Sequence, residues 1–357
     1  MQPKRLVLGG LFLVLTLGIA LPAAKLAYFA TTPLQPGSRD AFIIEVQRGQ
    51  RPNDIAKALV DGKVIDDSTS FMWIGRLGRM WKKIKSGEYQ VSPGQSPIEI
   101  FSVITSGISI AHPVTVREGE NMYEVAADME AKKLANEEKV VALCKDPKFI
   151  ATLGFKPPQP KTLEGYLFPD TYHFNKTMSA EDMVRQMVRH FNTVWGDKEE
   201  ARARDLGMSR HELITLASIV EKETGAPEER PLIASVFYNR LKKRMRLQSD
   251  PTTIYGMWER YEGKIHRSDL MEQNEYNTYA VAALPAGPIS NPGREAIQAV
   301  LFPAQSEFLY FVSHNDGTHQ FSRSLDEHNA AVRKFQLDPK AREGKSWRDL
   351  KARKVSN

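Results

Sequence analysis

The chain has 357 residues, 41% of them hydrophobic, and a formal net charge of +6, so we expect a sizeable core and two folded units. Lys and Arg are interspersed with acids along the sequence, which argues against a nucleic-acid-binding protein, since such proteins cluster their basic residues. The single cysteine, Cys144, excludes an internal disulfide and a cysteine-based metal site.

The N-terminal segment predicts the compartment. Residues 6–24, LVLGGLFLVLTLGIALPAA, carry no charge and follow Lys4 and Arg5. Such a run can cross a bilayer as a helix, and preceding basic residues favour a cytoplasmic N-terminus. The alternative is a cleaved signal peptide ending near ALPA, but the run is longer than the usual signal core. We therefore predict a cytoplasmic tail (1–5), a single-pass anchor in the cytoplasmic (inner) membrane (6–30), a Pro/Gly/Ser linker (31–40), and the remaining chain outside.

Residues 41–153 are predicted to form a small αβ module. AFIIEVQRGQ alternates as a strand does, and RPNDIAKALVDGKVI follows as an amphipathic helix. The segment VTVREGENMYEVAADMEAKKL overlays this unit at a shift of 70 positions. Chance similarity between two amphipathic βα segments is the alternative to duplication. The matched pairs are Val46 with Val116, Gly49 with Gly119, Ile55 with Val125, Ala56 with Ala126, and Leu59 with Met129.

Residues 154–337 are predicted to form a mainly helical domain, which makes the chain α+β. Ser209 and Glu212 have the spacing of a capping box, and Asp250 before Pro251 predicts a helix N-cap. FLYFVSHNDGTHQFS predicts a β-hairpin. His314 and His319 flank its turn, but no third ligand follows at a useful spacing, so we expect no metal site. Residues 338–357 form a basic, polar tail.

The helix HELITLASIVEKETG raises the main chemical question, because it ends in two acids, Glu221 and Glu223. At about 100° per residue the two carboxyl groups point to nearly opposite sides, and both have apolar neighbours. An apolar setting raises the pKa of a carboxyl group, as a general acid near neutral pH requires. A frayed helix end with two solvated acids is the alternative, and periodicity does not choose between the two residues.

Two further segments combine aromatic and polar side chains, LEGYLFPDTYHF and LQSDPTTIYG. This combination suits sugar rings, although a core aromatic cluster with satisfied polar tips is the alternative. For Asp250 the N-cap alone is a sufficient explanation. The loop 284–293 is rich in Gly and Pro and is expected either to line a cleft or to connect two helices.

Six segments in order closely resemble the endolytic murein transglycosylases of the MltG, or YceG-like, family. They are LEGYLFPDTYHF, ASIVEKET, ASVFYNRL, MRLQSDPTTIYG, YNTYAVAALPAGPISNPG and LYFVSHNDGTHQFS. The resemblance covers most of residues 40–337. It implies a LysM-like peptidoglycan-binding unit within 41–153 and a catalytic domain over 154–337. It also implies that the first Glu of IVEKE, Glu221, is the catalytic acid. The remaining substrate-binding candidates are Glu164, Tyr166, Asp170, Glu223, Asn239, Gln248, Asp250, Thr252, Tyr255, Asn277 and Tyr279.

The resemblance further implies cleavage of the MurNAc–GlcNAc bond in nascent glycan strands, leaving 1,6-anhydroMurNAc ends and limiting strand length. Its expected partners are glycan strands, the cytoplasmic membrane and peptidoglycan synthases, with no cofactor and no nucleic acid. One alternative is a lysozyme-like muramidase, which needs a second carboxylate such as Asp250 or Glu164. The other is a non-catalytic peptidoglycan-binding scaffold.

Overall fold

A computed structural model describes residues 18, 20–223 and 226–338. These residues form mainly helices, together with three two-stranded sheets. The predicted α+β class is therefore confirmed. By their internal contacts the residues divide into two units. Unit 1 comprises Met1–Pro113 and His173–Ser179, and unit 2 comprises Val114–Tyr172 and Ala180–Asn357.

The predicted anchor falls largely outside this part of the chain. Residues 6–17 and 19 are not among those described, and neither are residues 339–357 of the predicted tail. Residues 20–31 are helical. Among the described residues, no helix combines the length and the apolar character needed to cross a membrane.

Unit 1 is built around an antiparallel pair of strands in which Ile44 lies opposite Tyr89. Both side chains are almost fully buried, and Phe71 stacks on Phe101 with ring centroids 4.2 Å apart in the same core. The Asp67 carboxylate accepts the backbone N–H groups at the start of the second helix, which fixes where it begins. The elements are β1 (Phe42–Val46), α1 (Pro52–Asp61), α2 (Ser68–Leu77), β2 (Gly87–Val91) and α3 (Pro97–Ser106).

The βα repeat predicted at a shift of 70 positions is confirmed. Strand β3 (His112–Val116) and helix α4 (Met122–Ala131) begin and end 70 positions after β1 and α1. Gly49 and Gly119 both adopt positive φ, +76° and +81°, in the connecting turn, a conformation that glycine reaches without a Cβ clash. The second copy lies in unit 2 from residue 114 onward.

Unit 2 is organised by helix α9 (Arg210–Glu223), whose residues 213–220 are all buried. The Ser209–Glu212 capping box is confirmed, with the Glu212 carboxylate accepting both the N–H and the hydroxyl of Ser209. Helices α10 and α13 pack against α9. The elements are α5 (Glu137–Lys145), α6 (Pro147–Ala151), β4 (Asp170–Phe174), α7 (Ala180–Val194), α8 (Asp197–Asp205), α9 (Arg210–Glu223), α10 (Arg230–Lys242), α11 (Asp250–Gly256), α12 (Arg267–Met271), α13 (Arg294–Leu301), β5 (Tyr310–Ser313), β6 (His319–Ser322) and α14 (Leu325–Val332).

Two local predictions need correction or completion. The N-cap of α11 is Ser249 rather than Asp250, and the Asp250 carboxylate instead accepts the Tyr279 hydroxyl at 2.7 Å. The hairpin of β5 and β6 is confirmed, but its two histidines do not face each other. His314 pairs with Thr318, while His319 binds Glu229 at 2.7 Å.

Candidate active site

The Glu221 carboxyl group lies in the last turn of α9 and is only 5% exposed. One oxygen accepts a hydrogen bond from Arg230 Nη2 and the other accepts the backbone N–H of Gly293, each at 2.9 Å. The expected burial of Glu221 is confirmed, but the expected apolar pocket is wrong, because the carboxyl oxygens face a cation and a backbone donor. These two contacts fix the orientation of both oxygens.

Arg230, the first residue of α10, is the centre of an acidic ring. Besides Glu221, its guanidinium binds Glu295 at 2.5 Å and lies 3.8 Å from the Glu118 carboxylate. The Arg230 side chain is 8% exposed, and its Nε atom is buried without a hydrogen-bond partner. Three carboxylates around one guanidinium carry a net charge of −2 when all four groups are ionised. We refer to these four residues, Glu118, Glu221, Arg230 and Glu295, as the Arg230 cluster.

The loop 288–293 places the Gly293 N–H against Glu221. Its first anchor is α9, where the Ser218 hydroxyl accepts the N–H of Ile289 at 3.0 Å. Its second anchor is Asn291, whose backbone N–H and side-chain amide both donate to the Glu120 carbonyl, at 2.8 and 2.9 Å. The loop therefore connects α9 to the turn after β3, the turn that carries Glu118.

A side chain at position 293 would have to displace the Glu118 carboxyl group. A Cβ added to Gly293 would lie 1.8 Å from the Glu118 carboxyl oxygen. The φ angle of Gly293 is −73°, which any residue can adopt. Glycine at this position therefore leaves space for the Glu118 carboxyl group and is not required by the backbone conformation.

Glu223 points away from these groups, as the helical spacing predicts. Its carboxylate accepts the Ser249 hydroxyl at 2.5 Å. Burial, aided by the nearby charge of Asp250, raises the pKa of Glu223 to about 7. The predicted rise in pKa is thus confirmed for Glu223.

Glu164 is fully buried and connects two helices. Its carboxyl oxygens accept the Met122 N–H at the start of α4, at 3.0 and 3.2 Å, and the Tyr255 hydroxyl of α11 at 2.9 Å. Burial raises the pKa of Glu164 to about 8, although both of these hydrogen bonds oppose the rise. This environment keeps the group protonated near neutral pH, and its contacts join secondary-structure elements.

The other substrate-binding candidates are distributed among several environments. Asn277 and Asn239 bind backbone carbonyl groups, those of Glu272 and Ser306 among others. The Tyr166 hydroxyl lies 3.1 Å from His211 Nδ1 within an aromatic cluster, and Thr252 is fully buried.

Four candidates are more accessible. Asp170, Gln248 and Asp250 are exposed, with Asp170 paired to His190 at 3.1 Å, and Tyr279 is half-buried. Tyr279 contacts Asp250, which follows Ser249, the partner of Glu223. The structure thus groups Glu223, Asp250 and Tyr279 on one side of α9, and Glu164 with Tyr255.

Sequence reasoning missed the direct partners of Glu221. The sequence predicts that the loop 284–293 either lines a cleft or connects two helices, and it singles out neither Gly293 nor Asn291. Arg230 is one of 49 Lys and Arg residues, and Glu118 is one of 43 acids. Nothing in their local sequence distinguishes them, because contact with Glu221 depends on tertiary folding.

Comparisons with known proteins agree with this architecture. The YceG-like family profile matches residues 44–334. A Bacillus subtilis protein named endolytic murein transglycosylase is 32% identical over 316 residues, covering 85% of this chain and 87% of that protein. A Streptococcus pneumoniae protein of the same name is 24% identical over 341 residues, covering 84% and 59%, respectively.

The crystal structure of a yceG-like protein from Listeria monocytogenes superposes with a TM-score of 0.56 at 32% identity. The match covers 82% of this chain and 100% of the Listeria chain. On both the sequence and the structural evidence, the chain belongs to the YceG-like family.

Proposed function

We propose that this protein is an endolytic peptidoglycan lytic transglycosylase in which Glu221 acts first as acid and then as base. One observation carries the proposal: Glu221 is buried, and its two oxygens are separately held by Arg230 and Gly293. The names of the Bacillus and Streptococcus relatives supply the substrate class, murein. In this chain the helix that bears Glu221 lies within the matched region.

The proposed reaction needs no water. Protonated Glu221 gives its proton to the glycosidic oxygen between MurNAc and GlcNAc, and the bond from that oxygen to the MurNAc anomeric carbon breaks. The MurNAc C6 hydroxyl oxygen then bonds to the anomeric carbon, and Glu221 takes the hydroxyl proton. The products are a 1,6-anhydroMurNAc end and a new GlcNAc end, and Glu221 is again protonated.

The contacts of Glu221 fit the second half of this cycle. After proton donation, Arg230 and the Gly293 N–H hold the carboxylate where it can accept the second proton.

Product analysis of purified glycan strands treated with the full chain tests the proposal. We expect internal cleavage with ends one water lighter than reducing ends. Products with reducing ends would instead favour a muramidase, which needs a second carboxylate near a water. Glu164 does not suit that role, because it is fully buried and hydrogen-bonded. An absence of any new chain ends with retained binding would favour the scaffold alternative.

We also propose membrane anchoring through residues 6–30, with the rest of the protein on the outer side, where nascent strands and their synthases lie. Tethering would restrict cleavage to strands near the membrane and so limit their length. The support for this part is the uncharged apolar run at 6–24 and the basic residues before it.

Unit 1 is proposed to bind glycan strands as a LysM-like module. A groove of about 420 Å³ lies between the β1–α1 turn and the segment after α2, and Trp81, Arg48 and Lys85 are among its lining residues. Arg48 and Lys85 are exposed and basic, which suits strands that carry carboxylates on their peptides.

Replacing both Arg48 and Lys85 with alanine is expected to lower the affinity for purified cell walls, measured by co-sedimentation, about 5- to 10-fold. The reason is the loss of two ionic contacts between basic side chains and anionic groups of the wall. The full chain should keep its thermal stability, because neither side chain is buried. Replacing Arg79 and Lys82, two other basic residues of unit 1, provides the charge-matched control. Unchanged sedimentation of the Arg48/Lys85 variant would contradict glycan binding in this groove.

A further inference from the structure

The turn after β3 places a second acid in the active site. Glu118 has its carboxylate 3.8 Å from Arg230 Nη2, and the same nitrogen binds Glu221 at 2.9 Å. Both carboxylates therefore lie close to the same guanidinium nitrogen, which carries two N–H groups. The buried Nε atom of Arg230 has no partner, so the guanidinium retains an unused donor that a shift of Glu118 could satisfy.

Several contacts hold this turn in place. The Gly119 N–H donates to the Asn291 carbonyl at 2.9 Å, and the Lys222 ammonium donates to the Gly119 carbonyl at 3.1 Å. The Glu118 carboxyl group lies directly against the Gly293 backbone, whose N–H binds Glu221. The Glu118 side chain is 48% exposed, so the carboxyl group lies at the edge of the cluster and can move.

The turn between β1 and α1 in unit 1 has the same backbone as the turn after β3 but a different residue at the position of Glu118. Both turns have a glycine at positive φ, and in both the second residue before the helix donates its N–H to the carbonyl of the first residue after the strand, Gln50 to Gln47 and Glu120 to Arg117. In unit 1, position 48, which aligns with Glu118, holds an arginine that lines the groove. The repeat therefore preserves the backbone, and the acid at position 118 is not required by the turn itself.

We infer that Glu118 is a positioning residue that holds Arg230 when Glu221 is protonated and thereby sets the proton occupancy of Glu221 during the reaction. This inference deepens the proposed function and rests on it for the catalytic role of Glu221. When Glu221 takes up a proton, its attraction to Arg230 weakens, and Glu118 is the nearest carboxylate able to replace it on Nη2. When Glu221 donates the proton, Arg230 returns to it.

The charges around Glu118 are consistent with this exchange. Partial burial, and then the charge of Glu221, raise the pKa of Glu118, while Arg230 lowers it and Glu295 raises it. Lys222 is the further cation that contacts this turn. Removing the Glu118 charge leaves a less negative cluster, so Glu221 should release its proton at lower pH.

The test is a carboxyl ¹³C titration of the full chain with labelled glutamate, in which the Glu221 signal is assigned with Glu221→Gln. In Glu118→Gln we expect the midpoint of the Glu221 signal to move to lower pH by about half a unit or more, given one charge removed at short range. The alkaline limb of the pH profile of kcat/KM should move in the same direction. Gly293→Ala should displace the flexible Glu118 carboxyl without changing any charge, and we expect a shift of the same sign.

Glu138→Gln is the matched control, since it removes one exposed acid elsewhere in unit 2. An unchanged Glu221 midpoint in a folded Glu118→Gln variant would overturn the inference. The titration is read without substrate, so it decides the role of Glu118 even when cleavage is absent. A wild-type chain that forms no anhydro ends would overturn the proposed function separately.

Discussion

Replacing Glu221 with glutamine is expected to reduce formation of anhydro ends by at least about 10³-fold, within the usual range for loss of a general acid–base group. Glutamine preserves the volume and can still accept the Gly293 N–H, but it can neither give a proton to the glycosidic oxygen nor take one from the C6 hydroxyl. The measurement is the initial rate of anhydro-product release from glycan strands, followed by mass spectrometry.

Glu223→Gln is the control for this prediction. Glu223 lies two residues away on the same helix and is also buried, and its pKa is raised to about 7, so it satisfies the sequence criteria for an acid equally well. Its contact is Ser249 rather than the Arg230 cluster. We expect this variant to retain most of its activity. Equal losses in both variants, or a loss confined to Glu223→Gln, would refute the assignment of Glu221.

Glu164→Gln is expected to remove a large pH dependence from the stability of unit 2. The unfolded chain releases this proton near the ordinary value of 4.5, whereas the folded chain retains it up to about pH 8. Between these values the folded state binds more protons, so the wild-type free energy of unfolding falls as pH rises. The contribution at full ionisation is of the order of 5 kcal/mol, from the size of the shift and the linkage relation.

The difference in unfolding free energy between wild type and Glu164→Gln should therefore change by several kcal/mol from pH 5 to pH 9. The wild type should become less stable relative to the variant as the pH rises. Urea unfolding at a series of pH values measures this difference. Glu138→Gln, at an exposed position, should parallel the wild type throughout. A constant difference between wild type and Glu164→Gln would show that Glu164 titrates at the same pH in both states.

Local elements follow closely from the sequence of this chain. The duplicated βα unit, the Ser209–Glu212 capping box and the hairpin of β5 and β6 are all visible as short-range patterns, because periodicity and capping depend on neighbouring residues. The prediction that Asp250 is the N-cap of α11 is wrong, and the carboxylate instead makes a long-range contact. The Tyr279 hydroxyl binds that carboxylate, and a tertiary hydrogen bond of this kind leaves no trace in the local sequence.

The residue pattern alone indicates that one of two acids at the end of a buried helix could serve as the general acid, and the family motif points to Glu221. How that acid is held depends on long-range contacts. Arg230, Gly293 and Glu118 come from three separate segments, and they meet at Glu221 because α10, the loop 288–293 and the turn after β3 all contact the end of α9. Charge interactions act through space, so their effect on a carboxyl group follows from these distances and not from the order of residues along the chain.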